Sequence, residues 1–97
     1  MLEKDVERYL VRKIRAAGGR ALKFESPGCT GVPDRMILMP GGHISFAELK
    51  RPRKTERARQ IYVQSELRRL GFTVYSTVDS FERVDQLLME VTNGEDL

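Results

Sequence analysis

The chain has a single cysteine, Cys29, a single histidine, His43, and no long apolar run. One cysteine excludes a disulfide within the chain and fits a reducing, cytoplasmic setting. One cysteine and one histidine exclude a zinc cluster. No histidine partner is evident for Cys29 as a nucleophile, so Cys29 reads as an ordinary loop residue. His43 follows Pro40-Gly41-Gly42 and reads as a turn residue. The longest uncharged stretch, Met36 to Ala47, is broken by that Pro-Gly-Gly, which leaves no membrane span and no signal peptide. There is no repeat, linker or low-complexity segment. The 97 residues are enough for one domain, 1–97, with a single core. An enzyme of this size has a shallow site, and a long substrate would favour pairing of subunits.

An excess of either charge is also missing. Lysine and arginine number 17 against 14 acids, for a net charge of +3 and a pI near 9.3. The total excludes little, but the distribution is informative. Lys50, Arg51, Arg53, Lys54, Arg57 and Arg59 crowd together, relieved only by Glu56. Such a cluster suits a polyanion, because each neutralised phosphate releases counterions. A solvated basic helix start is the plainer reading.

The cluster begins where the most informative stretch ends. Asp34 opens the apolar run to Met39, and Glu48 and Lys50 close a second run from Ile44. The turn signal at Pro40 to His43 lies between them, so the stretch reads as a β-hairpin. Alternation sends Glu48 and Lys50 to one face and Leu49 to the other. A three-residue loop would set Asp34 opposite Glu48, and a four-residue loop would set it opposite Leu49. Either register gathers two carboxylates and an ammonium at one end of one sheet. Carboxylates so close repel unless a cation lies between them. A hard divalent ion held by oxygens, beside a lysine, is a way to activate water.

Pro33-Asp34 followed by Glu48-Leu49-Lys50 resembles the PD-(D/E)XK nuclease superfamily. The fuller string Gly31-Val32-Pro33-Asp34, then Phe46 through Pro52, then Gln60, resembles the VRR-NUC family within it, above all its small stand-alone phage and bacterial members. The resemblance covers roughly residues 3 to 78. A Glu-x-Lys alone carries little weight in so charged a chain. The two motifs at opposite ends of a hairpin, with Gly31 and Gln60 at the family's spacing, are far more specific.

The rest of the chain agrees with that core. Leu2, Val6, Leu10, Ile14 and Ala17 recur at helical spacing, so 3–17 reads as a helix stopped by Gly18-Gly19. Glu3 and Glu7 fall on its apolar stripe, where a carboxylate needs a partner. Fraying and snorkelling would account for them; so would a role beside the hairpin carboxylates. Residues 20–24 read as a strand and 25–31 as a loop. Met36 to Met39 is apolar without alternation, which argues a strand covered on both faces. A helix from about Glu56 to Leu70 shows apolar positions at Ala58, Ile61, Tyr62, Leu67 and Leu70, with Gln60 and Gln64 read by default as solvent-exposed. Residues 72–78 alternate as a strand that would lie parallel to its neighbour through a helical crossover. Asp79 or Ser80 caps a last helix to about Val91. The tail, 92–97, is expected to fray.

The expected fold is therefore α/β. It is a restriction-endonuclease-like core of order α-β-β-β-α-β with a C-terminal helix, its mixed central sheet flanked by helices. The resemblance implies a Mg²⁺-dependent endonuclease (with Mn²⁺ as a substitute) hydrolysing DNA phosphodiesters. Asp34, Glu48 and the Leu49 carbonyl would bind the ion. Lys50 would position or deprotonate water, or neutralise the phosphate. Glu7, or else Glu3, would orient water or a second ion, and Gln60 would support the site or contact the DNA backbone. Arg51, Arg53, Lys54, Arg57 and Arg59 would track phosphates. Small members resemble Holliday-junction resolvases acting as homodimers, in the cytoplasm of a bacterial or phage-infected cell. The last strand or last helix would supply the dimer contact. A flap, nick or general DNA nuclease, a non-catalytic DNA-binding module and a small interaction protein with an acidic partner are the alternatives.

Overall fold

The computed structural model describes residues 2–49 and 54–93, with the side chains of 54–56 excepted. The expected strand end at Arg51-Pro52, the side chains of Lys50, Arg51, Arg53 and Lys54, and the tail beyond residue 93 lie outside the described residues. The elements are α1 (Glu3–Ala16), β1 (Arg20–Lys23), β2 (Arg35–Met39), β3 (His43–Ala47), α2 (Lys54–Arg69), β4 (Thr73–Tyr75) and α3 (Phe81–Asn93).

The first helix forms because its apolar residues share one stripe. Val6, Leu10 and Ile14 are buried, acids occupy its first turn and bases its last, complementing the helix dipole. The backbone then turns through Gly18 into β1. The hairpin β2–β3 pairs Met39 with His43 across the three-residue loop Pro40-Gly41-Gly42. Both loop glycines have φ near +80° to +90°, a region that side chains with a Cβ seldom enter. That loop selects the first of the two possible registers, pairing Arg35 with Ala47. One step further, Asp34 stands opposite Glu48.

The strands form one sheet in the order β1-β2-β3-β4. β1–β2 and β2–β3 are antiparallel; β3–β4 is parallel, reached through α2 as a crossover requires. Ala21, Ile37, Met39, Ala47 and Tyr75 share a face and pack with Val6, Leu10 and Ile14 of α1 and with Val84, Leu87 and Val91 of α3. Tyr9 stacks on Phe81 at 4.3 Å and donates a hydrogen bond to Asp85 at 2.7 Å, locking α1 to α3. Ser80, one of the two expected residues, provides a side-chain cap of α3: its Oγ accepts from Arg83 N at 3.1 Å.

The other face departs from the expectation. α2 covers only part of it, over β4. Met36 and Leu38 are half-buried, while Leu22 and Ile44 are 47% and 42% exposed. The buried stripe of α2 also differs from its apolar pattern. Ile61, Tyr62 and Leu70 lie at the surface, and Val63 and Gln64 are buried. The cause is polar pairing. Gln64 Oε1 accepts from Ser76 Oγ at 2.6 Å, and Arg68 Nη2 donates to Val74 O at 2.8 Å and to Ser76 Oγ at 2.9 Å. A buried amide oxygen with its hydrogen bond made is tolerated, so the glutamine face turns inward and the more apolar face stays out. Gln64 is thus not the solvent-exposed residue that its sequence context implied.

Candidate active site

The hairpin register builds the site. Asp34 lies just before β2, and its carbonyl accepts from Phe24 N at 2.8 Å, continuing the ladder to β1. Its carboxylate Oδ2 accepts from Leu49 N at 2.8 Å, which fixes the side chain across the end of β3. Glu48 is held on its other side: its N–H donates to Tyr75 O and its carbonyl accepts from Val78 N, each at 2.8 Å. By alternation from Phe46, Glu48 points to the α2 face, as does Asp34 opposite it. Glu48 is 2% exposed. Two carboxylates thus meet at one end of the sheet, each backbone anchored to a different neighbouring strand.

Close by in the chain, the loop 25–32 faces α2. A groove of about 540 Å³ is lined there by Phe24, Cys29, Gly31, Val32, Arg59 and Gln60, among others. Gly31 has φ +89°, and a Cβ on it would meet the Arg59 carbonyl oxygen at 3.1 Å and carbonyl carbon at 3.2 Å. Only glycine lets α2 come this close. The Arg59 guanidinium reaches back over the loop, donating from Nε to Thr30 O at 3.2 Å. Gln60 is half-buried, and its Oε1 accepts no hydrogen bond from the described residues. Gly31 and Gln60, the two positions at the family's spacing, both line this groove.

Glu7 is placed differently from Asp34 and Glu48. It stands on α1, on the opposite face of the sheet. Its Oε2 accepts from Arg35 Nε at 3.0 Å and Nη2 at 2.8 Å. Arg35 Nη1 also donates to Ala21 O at 2.9 Å. The carboxylate on the apolar stripe of α1 thus has a guanidinium partner, and Glu3 is exposed at the helix start. Arg35 escaped the sequence reading. The available signal was a cation at the head of an apolar strand, together with an acid on a buried stripe that required a counter-charge.

The oxygens of Asp34 and Glu48 are hard donors suited to a magnesium-like ion. Among the described residues no cluster of three or more His, Cys, Asp or Glu side chains forms a metal-binding group. Magnesium nonetheless fits a site of this kind, because it is commonly held by one or two carboxylates with the rest of its shell left to water and substrate phosphate.

The helix, the antiparallel hairpin sheet extended by a parallel strand, and the flanking helices define a domain of the PD-(D/E)XK nuclease class. No family model matches the chain. A curated protein named "Putative nuclease p44", from Acyrthosiphon pisum secondary endosymbiont phage 1, is 42% identical over 72 residues, covering 74% of this chain and 77% of that protein. A solved structure described as a VRR_NUC domain superposes with a TM-score of 0.77 at 28% identity, over 90% of this chain and 94% of that one. The chain belongs to the VRR-NUC family and is a nuclease of the small phage type.

Proposed function

We propose that the protein is a Mg²⁺-dependent endonuclease that hydrolyses DNA phosphodiesters, with four-way junctions as its main substrate and a homodimer as its working form. The observation that carries the chemistry is the pair Asp34 and Glu48, set across the end of the β2–β3 hairpin with the Leu49 N–H locked onto Asp34 Oδ2. Binding alone does not call for paired carboxylates beside phosphate, since like charges there weaken the contact.

In this reading Asp34 and Glu48, with the carbonyl of Leu49, hold the metal, which when bound supplies charge for the phosphate oxygens and acidifies a water. The Leu49 N–H orients the Asp34 carboxylate. The two hydrogen bonds that tie Glu48 to Tyr75 and Val78 hold its backbone in place. Lys50, which lies outside the described residues, follows Glu48 at the spacing that shares its face. It positions or deprotonates the attacking water, or neutralises the phosphate. Gln60 stands at the groove, where it supports the site through its buried Oε1 or donates from its Nε2–H to the DNA backbone. Arg51, Arg53, Lys54, Arg57 and Arg59 contact phosphates, Arg59 from the wall of the groove. Glu7, or Glu3, orients water or a second ion; for Glu7 this role has to be played from the α1 face, around the start of β2, and shares the carboxylate with Arg35.

The dimer is supported by uncovered apolar side chains. Leu22 and Ile44 on the open sheet face, and Ile61, Tyr62 and Leu70 on α2, are 42% to 61% exposed. A two-fold pair would bring two sites to the two-fold symmetry of a junction. The test uses an end-labelled four-way junction beside flap and linear duplex, with Mg²⁺, with EDTA, and with Lys50→Ala. Paired symmetric nicks on the junction, lost in EDTA and in the variant, are expected. Equal cutting of every substrate would remove the junction preference. Tight binding without cutting in Mg²⁺ or Mn²⁺ would leave a DNA-binding module, and a monomer by light scattering would remove the dimer.

A further inference from the structure

We propose that the outer stripe of α1, with Lys4, Arg8, Arg12 and Arg15, is a second DNA-backbone surface, lying on the face of the sheet away from α2. This rests on the nuclease reading and extends it to where a further stretch of the substrate is held. The phosphate contacts assigned so far all follow β3, in the segment 51–59.

At about 100° per residue, the side chains of Lys4, Arg8, Arg12 and Arg15 fall within an arc of about 80°. All four residues are exposed. Together with Glu7 and Arg35 they line an open groove of about 610 Å³. Among the described residues no ion pair offsets any of the four. The one acid in the groove, Glu7, is taken by Arg35 at 2.8 Å. Its negative charge is therefore turned to the floor, and the rim stays cationic. A structural stripe of this kind would normally be balanced by acids at i+3 or i+4. Two acids do stand at such a spacing, Asp5 three residues before Arg8 and Glu7 three after Lys4, but among the described residues neither pairs with the stripe, and Arg12 and Arg15 have no acid at that spacing.

The dimensions fit one strand of a nucleic acid. From Lys4 to Arg15 the helix rises about 16 Å, at about 1.5 Å per residue. One strand of a duplex advances about 3.4 Å per phosphate, so the stripe runs alongside about five of them. Its position also fits. Arg35, the groove's floor, is the next residue after Asp34. The α1 groove and the candidate metal-binding carboxylates therefore meet at the start of β2, their side chains leaving on opposite faces. A nucleic acid passing this end of the sheet would meet Lys4 and Arg8 on one side, with Arg12 and Arg15 continuing along α1 toward the hairpin turn, and Arg59 and Gln60 on the other. An anionic membrane or an acidic protein would match the charge but not this junction with the carboxylates.

The test compares two variants of equal charge change by fluorescence anisotropy on a labelled four-way junction, across a KCl series with Ca²⁺ in place of Mg²⁺. One is Arg8→Gln with Arg12→Gln. The other is Arg69→Gln with Arg83→Gln, at exposed or half-exposed positions outside both grooves. If the two α1 arginines each contact one phosphate, the slope of log K against log[salt] becomes shallower by about 1.8 in the first variant only. Binding at 150 mM salt then weakens about tenfold. Equal loss in both variants would mean a general charge effect, and no loss in the first would mean no contact; either overturns the stripe while wild-type cleavage leaves the nuclease reading intact. A wild-type protein that neither binds nor cuts DNA, yet binds vesicles of anionic lipid, would overturn both.

Discussion

Replacing Arg35 by methionine isolates the pairing that the sequence concealed. The guanidinium donates twice to Glu7 Oε2, at 3.0 and 2.8 Å, and once to Ala21 O at 2.9 Å. The pair is neither fully buried nor freely solvated: the side chains are 17% and 30% exposed. Breaking a buried pair costs about 3–5 kcal/mol, and an exposed one contributes about 0.2–1 kcal/mol. The intermediate exposure places Arg35→Met at a loss of about 2 kcal/mol, most of it from a half-buried Glu7 carboxylate left beside apolar α1 and β2. In a domain of this size that is a fall in Tm of about 10 °C, read at constant protein concentration because an assembling protein's Tm depends on it. Glu7→Gln keeps the shape and one neutral hydrogen bond, and should cost about 1 kcal/mol. In the double variant the two costs should overlap, giving a coupling of about 1 kcal/mol. Circular dichroism melts of the four proteins measure it. A Tm for Arg35→Met within 2 °C of wild type, or a coupling under about 0.3 kcal/mol, would refute the reasoning. The same Glu7→Gln protein also tests the site role of Glu7: a Mg²⁺-dependent rate that falls far beyond what the melt explains assigns Glu7 to the chemistry, whereas unchanged cleavage assigns it to the pair alone.

Three further outcomes are expected. Asp34→Asn should keep the fold, since an amide oxygen can still accept the Leu49 N–H, while cleavage drops about 10²–10³-fold and Mn²⁺ binding by calorimetry weakens; wild-type cleavage in this variant would remove Asp34 from the site. Gly31→Ala should destabilise by about 2 kcal/mol or more, because the new Cβ needs both a positive φ and space that the Arg59 carbonyl occupies; an unchanged melt would show that α2 does not pack as described. Tyr9, whose O–H donates to Asp85, has its pKa held above the ordinary 10.0, first by that hydrogen bond and then by burial. A group raised on folding stabilises below its unfolded pKa, so this contribution should be complete below about pH 10 and fade as pH rises through the folded value. Tyr9→Phe should flatten that part of the alkaline stability curve, and a curve identical to wild type would discount the contact.

Much of the candidate site's layout was legible in the sequence. The turn Pro40-Gly41-Gly42 and the two apolar runs announced the hairpin, and strand alternation aligned Glu48 with the Asp34 end. The glycine at position 31 and the glutamine at position 60 were flagged by spacing, and the two meet at one groove. What could not be read was the register, because three- and four-residue loops satisfy the same apolar pattern. The Met39–His43 pairing settles it.

The amino-acid sequence by itself determined the element order, the hairpin and the family to which the chain belongs. Those follow from local periodicity and turn chemistry, which act within a few residues. Tertiary structure alone decided which face of α2 turns inward and what neutralises Glu7. Apolar spacing favoured Ile61, Tyr62 and Leu70 for the core, yet Gln64 is buried against Ser76, twelve residues away in sequence. Arg35 meets Glu7 across twenty-eight residues. A polar side chain is admitted to the interior by the partner that satisfies it, and that partner is chosen by how the sheet folds the chain back on itself.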